Sequence, residues 1–99
     1  MIINNLEWKV CFSDNMKEDL FGQTNYETLT IYLRKQVCDQ SLDRTLIHEI
    51  IHAYCYSYGL LFFENYNAEQ LCEFIAHNLK NINDCYKEAI RELDYLSKE

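Results

Sequence analysis

Ninety-nine residues at 48% hydrophobic and 14% aromatic content suit a single globular unit over 1–99, too small for a second core. The net charge of −7, with no basic stripe, argues against a nucleic-acid partner. No apolar stretch approaches membrane-spanning length, and Met1-Ile2-Ile3-Asn4-Asn5 is not a basic region leading into an apolar core, so a cytoplasmic chain with no membrane partner is expected.

Leu6, Trp8, Val10 and Phe12 alternate with Glu7, Lys9, Cys11 and Ser13, the period of a strand with one buried face. Residues 14–19 break that pattern as a polar connection. Residues 21–26 read as a turn or short extra strand. Leu29, Ile31 and Leu33 then alternate with Thr28, Thr30, Tyr32 and Arg34, a composition rich in β-branched and aromatic residues that predicts a second strand.

Residues 42–58 hold neither Pro nor Gly and are apolar almost all round, as a buried helix is. Ser41 is the expected N-cap, with Asp43 in the first turn and Gly59 as the residue just past the end. Inside this helix lies His48-Glu49-Ile50-Ile51-His52, an HExxH pattern. Two histidines four apart on a helix stand on one face with Cβ atoms roughly 5–6 Å apart, which suits two nitrogens on one zinc ion. Glu49 lies about 100° further round, aside from the ligands yet able to reach a water, which is the place of a general base. Burying two imidazoles and a carboxylate without a metal would be costly, so a core helix with incidental histidines is the weaker reading.

Beyond Gly59, Asn67 with Gln70 three residues on resembles a capping arrangement for another helix. From there Leu71, Ile75, Leu79, Ile82, Tyr86, Ala89 or Ile90, Leu93 and Leu96 recur at spacings of three and four. They predict a long amphipathic helix, with asparagines at 81 and 83 marking a possible break. Five cysteines, at 11, 38, 55, 72 and 85, form an odd set without CxxC spacing, which fits reduced thiols in a cytoplasm.

A catalytic zinc site takes three protein ligands and keeps a fourth position open. His48 and His52 supply two; Glu69, Glu73 and His77 at i, i+4 and i+8, with Cys72 nearby, are the candidates for the third. The stretches Thr45-Leu46-Ile47-His48-Glu49-Ile50-Ile51-His52-Ala53 and Glu69-Gln70-Leu71-Cys72-Glu73-Phe74-Ile75-Ala76 resemble the catalytic core of gluzincin metallopeptidases. They are most similar to the small ImmA/IrrE-type enzymes and the minigluzincins of phages and mobile elements. The likeness spans roughly residues 23–76 and is specific only at the two helices. It implies Glu69 as the third metal ligand, Cys72 at a position usually held by Ala or Ser, and Glu73 at a position usually held by Asn or Asp that supports a zinc-bound histidine. It also implies that the strand over 28–34 borders the cleft and offers an exposed sheet edge to an extended peptide.

The expected fold is α+β and zincin-like: a small antiparallel-containing sheet from the N-terminal third, packed on the HExxH helix and a long or broken C-terminal helix. The expected function is a zinc-dependent endopeptidase acting on a protein or peptide substrate, with a regulatory protein as the implied target. Its ligands are His48, His52 and Glu69, its cofactor is Zn2+, and its general base is Glu49. Tyr26, Tyr56 and Tyr66 are the candidate phenols for stabilising an oxyanion. Two alternatives are a catalytically idle, zinc-stabilised interaction module and a latent enzyme whose own tail, residues 93–99, folds back into the cleft.

Overall fold

The computed structural model describes residues 1–35, 39–60 and 67–97, which form an α+β fold of five strands and two helices. The chain opens with a hairpin of β1 (Ile2–Ile3) and β2 (Leu6–Glu7), turned at Asn4 and Asn5, whose φ angles of 47° and 68° are the left-handed values a two-residue hairpin turn requires. Asparagine adopts that conformation more readily than most residues. The alternation from Leu6 to Phe12 is therefore divided: Trp8 separates β2 from β3 (Lys9–Ser13), and its N–H donates to the Met1 carbonyl at 2.8 Å.

The segment at 21–26 contains a true strand, β4 (Gly22–Asn25), followed by β5 (Thr30–Arg34). Their order is β3-β5-β4, with β3 parallel and β4 antiparallel to β5. β5 is thus the middle strand. The expected free edge at 28–34 does not exist, because β5 is paired along both sides, and among the described residues the edge strand beside the histidine helix is β4. Asn25 Oδ1 accepts the N–H groups of Glu27 and Thr28 at 2.9 and 3.1 Å, fixing the turn that brings β4 to β5. The Arg34 side chain donates to the carbonyls of Leu20 and Lys17 and pins the connection entering β4.

Helix α1 (Asp39–Ser57) begins two residues before the expected cap, so Ser41 lies inside its first turn. Its end is as read: Gly59, at φ 76°, donates to the Tyr56 carbonyl at 3.0 Å. Helix α2 (Ala68–Ser97) opens on the expected reciprocal cap, Asn67 N–H to Gln70 Oε1 at 2.9 Å and Gln70 N–H to Asn67 Oδ1 at 2.8 Å. It runs unbroken through the asparagines. Asn81, Asn83 and Asp84 are exposed while Ile82, Cys85 and Ala89 keep the buried stripe in register. Of the expected fold-back tail at 93–99, residues 93–97 are the last turns of α2, with Leu93 in the core, and residues 98–99 lie outside the described residues.

That core joins Trp8, Val10, Ile31 and Leu33 of the sheet side to Leu46, Ile50 and Ala53 of α1 and Ile82 and Ala89 of α2. Cys11, Cys55, Cys72 and Cys85 are free thiols. No helix among the described residues is long and apolar enough to cross a membrane.

Two polar contacts tie α1 to the N-terminal hairpin: the buried Trp8 indole N–H donates to Ser57 Oγ at 2.9 Å, and Asn4 Nδ2 to the Ser57 carbonyl at 2.9 Å. Ser57→Ala would leave the indole donor buried without its partner, a loss of about 1–3 kcal/mol. Urea unfolding followed through the single tryptophan checks this; an unchanged midpoint would show that the indole contact contributes nothing.

Candidate metal centre

His48, Glu49 and His52 occupy two successive turns of α1, and their ligand atoms all lie within 4.8 Å of one another. The two Nε2 atoms are 3.2 Å apart, with ring centroids at 4.8 Å and planes at 70°. Two nitrogens bound to a tetrahedral zinc at 2.0–2.1 Å sit about 3.3–3.4 Å from each other. The observed separation therefore fits adjacent corners of such a tetrahedron. The donor set, two imidazoles and a nearby carboxylate, also suits zinc chemically.

Burial falls on the carboxylate rather than the imidazoles. Glu49 is 7% exposed, whereas the His48 side chain is 66% exposed and His52 is half-buried. The reason is the rotation of α1: Leu46, Glu49, Ile50, Ala53 and Ser57 share the face pressed onto the sheet, so His48 and His52, both to one side of Glu49's row, emerge along the flank. The expectation of two buried imidazoles is thereby corrected, and the desolvation cost lies with Glu49. That cost is offset by Thr24 of β4, whose hydroxyl donates to Glu49 Oε1 at 2.8 Å. The other oxygen, Oε2, stands 3.8 Å from His48 Nε2. Sequence reading did not select Thr24. Its only signal was its place in an apparent turn, and the partnership spans 25 residues of chain.

Of the three candidate tyrosines, Tyr26 is the one whose phenol feels the Glu49 charge. Burial raises its phenol pKa, the Glu49 charge raises it further with a smaller part from Cys55, and its ring stacks on Tyr56 at 4.9 Å. The phenol stays protonated and able to donate. Tyr56 also meets Trp8 edge-on at 6.1 Å, which marks it as a core residue, and Tyr66 lies outside the described residues.

Beside Glu49 and His48 opens a cavity of about 400 Å3 walled by Leu20, Phe21 and Gly22 on one side and Arg44 and Thr45 on the other. Among the described residues, the second helix contributes nothing to the cluster of donors. Glu69, in the first turn of α2, and Cys72, Glu73 and His77 after it are all exposed and stand outside the group formed by His48, Glu49 and His52.

Residues 3–67 match the family described as the SprT-like family, a span that takes in β2 to β5, α1 and the HExxH run and stops just short of Glu69. No curated protein and no solved structure matches the chain.

The approach of β4 to α1 depends on Gly22. A Cβ there would stand 2.6 Å from Thr45 Cγ2 and 3.1 Å from Glu49 Cγ. Gly22→Ala should therefore destabilise the fold by about 1–3 kcal/mol through overpacking. Adding Thr45→Ser, which removes the obstructing methyl, should recover most of the loss; a thermal-melt double-mutant cycle with purely additive effects would contradict this contact.

Proposed function

The chain belongs to the SprT-like family, which is zincin-like and metallopeptidase-related, and we propose that it is a zinc-dependent endopeptidase acting on a protein substrate inside the cell. The observation that carries the reading is the pair of imidazole nitrogens 3.2 Å apart with a buried carboxylate alongside, one of whose oxygens faces them. A zinc site of purely structural use has no need of that carboxylate. Retention of Glu49 therefore favours hydrolysis over an idle interaction module.

His48 and His52 would hold the ion from α1, and Glu69, by the likeness to ImmA/IrrE-type enzymes and minigluzincins, would complete the set from the first turn of α2. Zinc in such a site supplies a Lewis acid that lowers the pKa of water and polarises a carbonyl. Glu49 Oε2 takes the proton of the attacking water and returns it to the departing amine nitrogen. The Tyr26 phenol, kept protonated by burial and by the Glu49 charge, is the donor this reading assigns to the developing oxyanion.

An extended substrate has a strand to pair with. Arg34 N–H donates to the Phe21 carbonyl, and because antiparallel pairs alternate, residues 21, 23 and 25 turn their backbone toward β5 while Gly22 and Thr24 turn theirs outward. The outward groups of β4 run beside Glu49 and the cavity, so a peptide added there would carry its scissile bond past the histidines and one side chain toward Phe21 and Arg44.

The test compares wild type, Glu49→Gln and His48→Ala for zinc content and for cleavage of labelled casein and of the proteins encoded beside this one. Glu49→Gln should keep its zinc and lose hydrolysis by about 10²-fold or more, whereas His48→Ala should lose both. Hydrolysis by Glu49→Gln at the wild-type rate would end the peptidase reading. For the third ligand, competition with a chromogenic chelator should show Glu69→Ala weakening zinc binding more than Glu73→Ala or His77→Ala. A larger loss from either of the other two would transfer the role to that residue.

A further inference from the structure

We infer that Thr24 is a positioning residue that holds Glu49 out of the metal's ligand set and so keeps it available as the base. The inference rests on the proposed metal site and, for its kinetic part, on the peptidase reading. The three donors of α1 lie within 4.8 Å of one another, close enough that a carboxylate free to turn could join the imidazoles on the same ion. Its place on the helix sets Glu49 to one side of the histidines, and its second partner holds it there. Thr24 donates to Oε1 at 2.8 Å from across the β4–α1 interface, and the same hydroxyl lies 3.3 Å from the Glu49 carbonyl. With Oε1 held there, only Oε2 is turned toward the histidines, 3.8 Å from His48 Nε2.

The arrangement is supported on both sides. Gly22, two residues before Thr24 on the same face of β4, lets the strand come close enough for a hydroxyl on a short side chain to reach Glu49; its absent Cβ would stand 3.1 Å from Glu49 Cγ. Leu33 and Ile31, fully buried, lie opposite Gly22 and Thr24 in the ladder and back the strand against α1. A short β-branched side chain has few rotamers to lose, so the oxygen is presented at little entropic cost. A base misplaced by about 1 Å loses on the order of 10²-fold in rate, which sets the scale of what this bond can protect.

Thr24→Val keeps the shape and removes the donor, and Thr24→Ser keeps the donor. The full chain would be loaded with Co2+ in place of zinc and its visible absorption recorded for wild type, Thr24→Val, Thr24→Ser and the double variant Thr24→Val/Glu49→Gln. Thr24→Val should change the Co2+ bands as the carboxylate enters the ligand set. Thr24→Ser should match wild type, and the double variant should lose the change that Thr24→Val produces. With zinc and labelled casein, Thr24→Val should lower kcat by about 10–100-fold with KM within about threefold, and Thr24→Ser should recover most of kcat. Bands for Thr24→Val identical to wild type, with metal bound at one equivalent, would overturn the inference. So would a spectral change that persists in the double variant. Thermal melts of the metal-free variants separate a general loss of fold from loss of the latch, since a variant that melts at the wild-type temperature while its bands shift has lost the latch alone. If wild type itself turns over no casein, that result counts against the peptidase reading, and the Co2+ bands decide the role of Thr24.

Discussion

The contact on which the rest of the structure turns is the seating of α1 on β4, where a glutamate is pressed almost out of solvent against a strand that offers it one hydroxyl. Burying a carboxylate is unfavourable unless its oxygens are satisfied. Thr24 meets that requirement for Oε1, and among the described residues no buried side-chain nitrogen or oxygen is left without a partner. The rotation that buries Glu49 also decides where the histidines go. One helical row to the side, His48 and His52 emerge along the flank with their nitrogens converging, so the burial of the base and the exposure of the ligands are one geometric fact.

The sheet is subordinate to that contact. A parallel β3 and an antiparallel β4 flank β5, which places the strand with outward backbone groups beside Glu49 and the strand adjoining α2 on the opposite side. Arg34 clasps the carbonyls of the connection ahead of β4, so the wall of the cavity formed by Leu20 and Phe21 is tied to the middle strand.

What could be read from the sequence was local. HExxH on a helix closed by Gly59, the Asn67–Gln70 cap, and the alternation from Val10 to Phe12 and from Ile31 to Leu33 all depend on spacings of two to five residues and reappear in the structure. Pairing did not follow from such spacings. The order that makes β5 central is a choice among long-range partners that alternation does not encode. The Asn4–Asn5 turn carried a usable signal, two residues tolerant of left-handed backbone between apolar pairs, and it divides what reads as one strand. Asparagines at 81 and 83 suggested a break in α2, yet the buried positions Ile82, Cys85 and Ala89 hold the helix through them, tertiary packing outweighing weak local preference. The site was legible as far as one helix could show it. Thr24 and Gly22 were not, because their importance lies in what they touch across the chain.

Among the described residues, polar contacts fasten α1 near its start, at its middle and at its end. Tyr86 of α2 donates to Asp43 at 2.5 Å, Thr24 holds Glu49, and Trp8 and Asn4 grip Ser57. Neither histidine is part of these attachments or of the apolar core. The contacts that fasten α1 thus involve neither imidazole, unlike the ligands of a zinc finger, which are themselves what organises the chain. The rim of the donor group at His48, 66% exposed, therefore faces solvent on the side of α1 turned away from its fastenings, so the face that meets solutes and the face that holds the fold are different sides of one helix.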